Sequence, residues 1–235
     1  MVRLHRWRSG LAEVAQVLLL DPENERALML RAKALGCLLR SAADNGQVEE
    51  LRRLSAVPGA SLVAADAHGR QPIHFAAMSG QLAVAQWLAL QEGVSLVAAD
   101  AQGRQPIHFA ARSGQLALVQ WLASQPGVIL VAATLQGFQP IHFAALSGRL
   151  AVAQWLALQE GVSLEAADAD GWQPIHFAAW SGDLAMAQWL AAAGASLVAA
   201  DAVGRQPLHI AVELGHLEMA QWLTAAGLSL VAAAA

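Results

Sequence analysis

The sequence contains no tyrosine, one cysteine and one lysine, and charged residues make up only 14% of its 235 residues. Cys37 cannot form an internal disulfide, which fits a reducing compartment. No run of about 18 apolar residues is present, so we expect no membrane insertion. The first eight residues, Met-Val-Arg-Leu-His-Arg-Trp-Arg, lead into no apolar core of the kind found in signal peptides. We therefore expect a cytoplasmic protein.

A strong charge of either sign is also missing. Residues 1–53 carry nine basic and seven acidic side chains, a net of +2, whereas residues 54–235 carry five arginines and eleven acids, a net of −6. Binding to a nucleic-acid backbone needs a concentrated basic surface, so we expect no nucleic-acid partner. The 56% of hydrophobic residues, with so little charge, excludes a disordered chain.

What the sequence does contain is a repeat. Residues 69–77 read Gly-Arg-Gln-Pro-Ile-His-Phe-Ala-Ala, and this block returns unchanged from Gly103. It returns with Phe or Trp in place of Arg from Gly137 and Gly171, and with three other changes from Gly204. A second block follows each copy, such as Leu-Ala-Val-Ala-Gln-Trp-Leu-Ala at residues 82–89, and the stretch 82–96 recurs unchanged at 150–164. Self-similarity at this period indicates stacked supersecondary units.

Each unit can be interpreted locally. Pro72 suits the first position of a short helix, and Gly80 can adopt the left-handed conformation that ends it. A second helix starts at Leu82 and stops before Gly93, where an extended Ser-Leu-Val-Ala-Ala-Asp segment leads into the next turn. Helices of about eight residues do not persist alone, so the units must stack into an all-α array.

This pattern resembles the ankyrin family. The family's Thr-Pro-Leu-His-x-Ala signature matches residues 71–76, Gln-Pro-Ile-His-Phe-Ala, and the four later copies, apart from the first residue. Its Gly-His-Leu-Glu motif is present at residues 215–218. The resemblance implies an ankyrin-repeat solenoid of helix-turn-helix units with β-turn loops. It also implies that each histidine hydrogen-bonds the turn loops and ties one unit to the next.

The chain is predicted to have two parts. Residues 1–35 form an N-terminal helical pair that resembles a tetratricopeptide junction and caps the array, with Asp21 as N-cap and Pro22 at a helix start. Residues 36–235 form the ankyrin-repeat array. It consists of a degenerate repeat at 36–65 and full repeats at 66–99, 100–133, 134–167, 168–200 and 201–235.

Two further columns of residues recur in register. Tryptophan stands where the family usually has leucine, and we assign the five tryptophans to the core: Trp87, Trp121, Trp155, Trp189 and Trp222. Glutamine replaces the family's threonine, and we hypothesise a ladder of amide hydrogen bonds through Gln71, Gln105, Gln139, Gln173 and Gln206.

No catalytic motif is found, and no Gly-rich phosphate loop is followed by Lys and Ser or Thr. The repeated histidines lie one per unit, and adjacent units are roughly 8–10 Å apart. Zinc needs its nitrogen donors about 2.0–2.1 Å from one ion, so these side chains cannot converge. We expect no enzyme activity, metal, cofactor or small-molecule substrate.

The few columns that vary among the repeats predict the functional surface. In ankyrin arrays these columns line the concave groove that binds partners, which the resemblance carries over to this chain. The central repeats offer apolar residues there, with arginines around them: Leu135, Phe138, Leu146, Trp172 and Trp180, then Arg70, Arg104, Arg112 and Arg205. An aromatic centre with an arginine rim is typical of a protein interface.

We therefore predict a scaffold or adaptor that binds a protein partner, such as a segment carrying acidic and apolar residues. Two alternatives stay open. The chain could be the recognition part of a larger effector or enzyme, because the sequence stops where another turn would begin. It could also be a purely structural or designed array, which the identical 82–96 and 150–164 stretches favour.

Overall fold

The computed structural model describes residues 2–233, with side chains described for residue 7 and residues 9–227. Regular secondary structure in this range is α-helical, and the chain divides into two compact units, Met1–Ala101 and Gln102–Ala235. The first unit contains α1 (Val2–Leu20), α2 (Glu25–Asp44), α3 (Val48–Ser55), α4 (Pro72–Met78) and α5 (Leu82–Ala89). The second contains α6 (Pro106–Ser113), α7 (Leu116–Ala123), α8 (Pro140–Leu146), α9 (Leu150–Ala157), α10 (Pro174–Ser181), α11 (Leu184–Ala192), α12 (Pro207–Glu213) and α13 (Leu217–Ala233).

Each full repeat begins a first helix at its proline. In α6 the N-cap residue Gln105 is extended, with φ −94° and ψ 165°, and Pro106 takes the first helical position, where no N–H is needed. Gly114 then adopts φ 82° and turns the chain into α7. Both helices bury small or aliphatic side chains against each other, namely Ile107, Ala110, Ala111, Leu118, Val119 and Leu122, each 0% exposed.

The tryptophans lie at the margin of this core rather than inside it. In α9, Val152, Ala153 and Leu156 are 0% exposed, whereas Trp155 is half-buried. The same holds for Trp87, Trp121, Trp189 and Trp222. These side chains are therefore only partly in the core, contrary to our assignment. The fully buried positions, where the second helix packs closely on the first helix, hold small or aliphatic side chains instead of large rings.

The histidine column joins each first helix to the loop that follows the second helix. Four Nε2 atoms lie 2.7 to 3.0 Å from loop carbonyl oxygens, in the pairs His74–Ala98, His108–Ala132, His142–Ala166 and His176–Ala199. On the opposite edge of each ring, Nδ1 accepts a hydrogen bond from the backbone N–H of the N-cap glutamine. An accepting Nδ1 carries no proton, so the proton is on Nε2, which donates to the loop. The loop bonds implied by the resemblance are confirmed for these four histidines.

The degenerate repeat uses an arginine for the same purpose. Arg40 occupies the position of His74, and its Nη1 donates to the carbonyl of Ala64 at 3.0 Å, the same separation of 24 residues as in His74–Ala98. Gly36 gives this side chain room, since a Cβ there would lie 3.2 Å from Arg40 Nη1. The first repeat thus keeps the hydrogen bond between its first helix and its loop, although it lacks the Pro-x-His motif.

The glutamine column does not form the hypothesised ladder. The Oε1 atoms of Gln71, Gln105, Gln139 and Gln173 are buried and have no hydrogen-bond partner. A buried acceptor without a partner costs stability. At the start of each of these helices, the histidine three residues later accepts a hydrogen bond from the backbone N–H of the glutamine.

The N-terminal part of the chain contains the two helices α1 and α2. Helix α2 runs without a break from Glu25 to Asp44, across the predicted boundary at residue 35. Its N-cap is Asn24, whose Oδ1 accepts from the Ala27 N–H at 2.9 Å, and not Asp21. Asn24 directly precedes the first helical turn, where its short side chain can reach the free N–H groups.

The last repeat departs from the others at its end. The pentapeptide Ser-Leu-Val-Ala-Ala forms a loop at residues 61–65, 95–99 and 196–200, but at 229–233 it lies within α13. An aspartate follows each loop copy, whereas an alanine follows residue 233. Alanine favours helix, and aspartate favours the turn. The loop expected after the second helix of repeat 201–235 is thus replaced by helix.

Candidate functional site

The predicted site residues are divided between the two units. Arg70 is in the first unit, where its guanidinium lies 5.0 Å from the Phe75 ring centroid and binds Asp66 through Nε and Nη2 at 2.9 and 2.7 Å. Burial raises the pKa of the Asp66 carboxyl, but hydrogen bonds from Arg70 and from the backbone of His68 outweigh burial and hold the pKa below its ordinary value. The charge of Arg70 is thus matched within its own loop. The other predicted residues lie in the second unit.

Five rings of the second unit form a continuous aromatic cluster, made of Phe138, Phe143, Trp172, Phe177 and Trp180. Centroid distances are 5.8 Å for Phe138–Phe143, 5.4 Å for Phe138–Phe177, 5.2 Å for Trp172–Phe177 and 5.6 Å for Trp172–Trp180. Most of these pairs are edge-to-face, an arrangement that the charge distribution of aromatic rings favours. The cluster spans the repeats 134–167 and 168–200.

Exposure increases from the base of the cluster to its rim. Phe143 and Phe177 are 8% and 6% exposed, Phe138 and Trp172 are half-buried, and Trp180 is 48% exposed. The half-buried Leu146 joins Phe138 around a depression of about 20 Å³. We call the accessible part of this region the apolar patch, which consists of Phe138, Leu146, Trp172 and Trp180.

Trp172 is fixed by the repeat that follows it. Its Nε1–H donates to Oδ2 of Asp201 at 3.1 Å, and the same oxygen accepts from Arg205 Nε at 2.9 Å. The Arg205 guanidinium lies 5.6 Å from the Trp172 ring centroid. Oδ1 of Asp201 accepts from the backbone N–H groups of Val203 and Arg205. Asp201 is thus the residue that fixes the position of Trp172 in the apolar patch.

The buried Asp201 carboxylate is held in its ionised form. Burial raises the pKa of Asp201, but hydrogen bonds from Arg205 and Val203 outweigh burial and keep the pKa below its ordinary value. This corrects the predicted role of Arg205, whose charge is matched by Asp201 and is not free at the rim. The sequence signal was the spacing: aspartate and arginine four residues apart recur as Asp66–Arg70 and Asp201–Arg205.

The remaining predicted residues lie beside the apolar patch or away from it. Leu135 is 76% exposed on a loop. Its side chain lies close to Gly103, because a Cβ at Gly103 would be only 3.3 Å from the Leu135 Cγ. Arg104 lies over the Phe109 ring at 4.9 Å and donates to Gln102. Arg112, near the end of α6, has an exposed side chain. The structure therefore brings Phe138, Leu146, Trp172, Trp180 and Arg205 together.

Two buried histidines, His142 and His176, contact the aromatic cluster. His142 lies 5.4 Å from Phe177, and His176 lies 6.1 Å from Trp172, measured between ring centroids. Burial lowers the pKa of both histidines by more than the hydrogen bonds to the Ala166 and Ala199 carbonyls raise it. A neutral ring behind the cluster leaves the apolar patch without a positive charge at its base.

Two further findings, on metal-binding groups and on membrane-spanning helices, concern the described part of the chain. No group of three or more histidine, cysteine, aspartate or glutamate side chains is placed to hold a metal ion there. Within the same residues, none of the helices combines the length and the apolar character needed to cross a membrane.

Comparison with known proteins agrees with the geometry of the repeats. A family model described as ankyrin repeats (3 copies) matches residues 39–131, 92–168 and 141–232. No curated protein matches the chain significantly. Ankyrin repeats are in general modules of protein–protein interaction. The matched segments extend over most of the sequence, and the chain therefore belongs to the ankyrin-repeat family.

Proposed function

We propose that this chain is a non-catalytic binding module, a scaffold or adaptor, that binds a protein partner through the apolar patch of its second unit. The observation that carries the proposal is the exposed indole of Trp180, 48% accessible and held edge-on against Trp172 at 5.6 Å. Exposed aromatic groups that join a buried cluster are typical of interaction sites.

The energetic argument concerns the area that a partner would cover. A tryptophan side chain can bury about 150–250 Å², so the open half of Trp180 offers roughly 100 Å². At about 25 cal/mol per Å², its burial contributes on the order of 2.5 kcal/mol. Trp172 is already fixed by Asp201, so little side-chain entropy is lost when a partner binds, which favours affinity.

The shape of the patch supports a protein partner over a small molecule. The depression between Phe138, Leu146 and Phe177 holds only about 20 Å³. Pockets for small ligands usually enclose roughly 300–1,000 Å³. A shallow apolar surface with a projecting indole is suited to a side chain presented by another protein. The net negative charge of residues 54–235 supports the same choice against nucleic acid.

The experiment compares the full chain with Trp180→Ala and with Leu158→Ala. Leu158 is 83% exposed and lies after α9, outside the apolar patch, so it is a matched control for loss of exposed apolar area. Proteins captured by each form are identified, and each candidate is then purified and titrated against all three forms.

We expect a purified protein that binds the unaltered chain and Leu158→Ala equally and binds Trp180→Ala at least about tenfold more weakly. If no captured protein distinguishes Trp180→Ala from the other two forms, the proposed function is wrong for this surface.

A further inference from the structure

A pair of arginines borders the apolar patch. Arg149 is the N-cap residue of α9, three positions after Leu146, and its Nε donates to the backbone carbonyl of Arg112 at 3.0 Å. The Arg149 side chain crosses Gly114, where a Cβ would lie 2.6 Å from Arg149 Cδ. The exposed Arg112 and the guanidinium of Arg149 therefore occupy one corner of the second unit.

The positive charge at this corner is not needed for the hydrogen bond that Arg149 makes. At the equivalent position of another repeat, Gln81 Nε2 donates to the carbonyl of Asp44 at 3.3 Å, and in the last repeat His216 bonds the carbonyl of Trp180 at 3.0 Å. A glutamine thus suffices for the tie between repeats. Arg149 makes it through Nε and leaves its two terminal nitrogens available.

Neither guanidinium has an internal counter-charge among the described residues. Arg205 pairs with Asp201 and lies 3.9 Å from Glu213, whereas no carboxylate of the described residues forms an ion pair with Arg112 or Arg149. Asp183, which follows in the same column as Arg149, instead caps its own helix by accepting from Met186 N at 3.0 Å. Two unpaired cations adjoin the apolar patch, although residues 54–235 are negative overall.

The opposite side of the apolar patch carries the opposite charge. Equivalent positions near the ends of α6, α8, α10 and α12 hold Arg112, Leu146, Trp180 and Glu213. The Glu213 side chain is 66% exposed and lies 3.9 Å from Arg205, whose charge Asp201 already matches. From α6 to α12, this position is therefore first positively charged, then apolar in two successive repeats, and finally negatively charged.

We infer that the apolar patch binds its partner in one direction, with an aspartate or glutamate of the partner on the Arg112–Arg149 pair and apolar side chains on Leu146 and Trp180. Guanidinium groups bind carboxylates through paired N–H donors, which fixes orientation. Equivalent positions of adjacent repeats are roughly 8–10 Å apart. In an extended partner segment, the acidic residue thus lies about three residues from the side chain on Leu146 and roughly five to six residues from the side chain on Trp180. This inference rests on the proposed function and adds the partner's chemistry and direction.

A selection from randomised peptides displayed on phage tests the inference. Peptides are selected on the full chain and, separately, on the double variant Arg112→Glu/Arg149→Glu, and each pool is depleted on the same protein with the added change Trp180→Ala. We expect the first pool to combine an apolar anchor with Asp or Glu at a fixed spacing on one side. The second pool should carry Lys or Arg at that spacing.

A matched neutral variant makes the result independent of charge reversal. Arg112→Gln/Arg149→Gln keeps a donor to the carbonyl at residue 112, as Gln81 does for Asp44. An acid-bearing peptide from the first pool should bind it about tenfold more weakly, and should lose its salt dependence. This variant also replaces the charge reversal if the latter fails to fold by circular dichroism.

The outcomes separate the inference from the proposed function. Peptides that depend on Trp180 but show no acidic preference would overturn the inference and leave the proposed function standing. An acidic preference that persists on the neutral variant would overturn it as well. If no peptide depends on Trp180, the proposed function is contradicted and the inference falls with it.

Discussion

The indole Nε1–H of Trp172 donates to Oδ2 of Asp201, in the following repeat, at 3.1 Å. The position of the Trp172 side chain in the apolar patch therefore depends on the Asp201 side chain, which is only 1% exposed. Four donors converge on Asp201, two from backbone N–H groups and two from side chains. The aromatic surface and the loop conformation are thus stabilised by one residue.

Asp201→Ala should therefore destabilise the protein by about 3 kcal/mol, because a buried acceptor of several charge-assisted bonds is lost. Denaturation in urea measures the change. Asp170→Ala is the control, since Asp170 is exposed and contributes its backbone carbonyl to the Ala202 N–H. Equal stability of the two variants would mean that the Asp201 network contributes nothing.

Acid should destabilise the protein in two steps. The pKa values of His142 and His176 are below the ordinary 6.5, so the unfolded chain binds more protons and stability falls as pH drops through 6.5. The pKa values of Asp66 and Asp201 are below the ordinary 3.8, so their contribution is complete above 3.8 and is lost below it. Urea midpoints measured from about pH 7.5 to about pH 3 at fixed ionic strength report both steps. Midpoints that rise below pH 6.5 would contradict neutral histidines in the folded state.

Trp155→Ala should cost about 2–3 kcal/mol, less than the roughly 3–5 kcal/mol of a fully buried tryptophan, because Trp155 is only half-buried. Leu156→Ala, at the neighbouring 0% exposed position, should cost about 3–5 kcal/mol. Urea denaturation of both variants gives the comparison. A larger loss for Trp155→Ala than for Leu156→Ala would restore the assignment of the tryptophans to the core.

The repeat pattern predicted the helices because helix signals are local and recur in register, and the resemblance to the ankyrin family implied the histidine hydrogen bonds to the loops. It could not predict that Trp172 binds Asp201, because that bond joins residues 29 positions apart in two repeats. The ion pairs of the predicted arginines were likewise not predicted from the sequence. Arg70 and Arg205 have a matching acid four residues earlier, and only the geometry shows that they use it. Arg149 was missed because its position varies among the repeats, with glutamine, aspartate and histidine in the others, so no charge recurs there in register.

Boundaries failed where two local signals competed. Asp21 and Asn24 are both good N-cap residues, and the hydrogen bond to Ala27 decides for Asn24. Residues 229–233 have the sequence of a loop, but without the following aspartate their alanines extend α13. A capping hydrogen bond decides in the first place and helical propensity in the second.

Truncation inside α2 should be far more harmful than removal of α1. A chain that starts at residue 24 keeps α2 and its Asn24 cap, whereas one that starts at residue 36 loses the buried Ala34 and Leu35. The longer deletion removes core contacts of the first unit, so we expect it to aggregate while the shorter one stays folded. Melting temperature and size-exclusion chromatography distinguish the two. Identical behaviour of both chains would show that residues 24–35 do not support the array.

The two tryptophans of the apolar patch should separate stability from binding. Trp180→Ala should lower the free energy of unfolding by only about 1 kcal/mol, less than Trp155→Ala, because about half of the ring is exposed and its indole makes no hydrogen bond among the described contacts. Its effect on binding of the partner should reach about 2 kcal/mol, or roughly thirtyfold. Trp172→Phe should show the reverse, since it keeps an aromatic ring and loses the bond to Asp201, at a cost of about 1 kcal/mol in stability. Urea denaturation and titration of the purified partner measure the two quantities for each variant. If Trp180→Ala unfolds the second unit instead, Trp180 belongs to the core and its place in the binding surface is wrong.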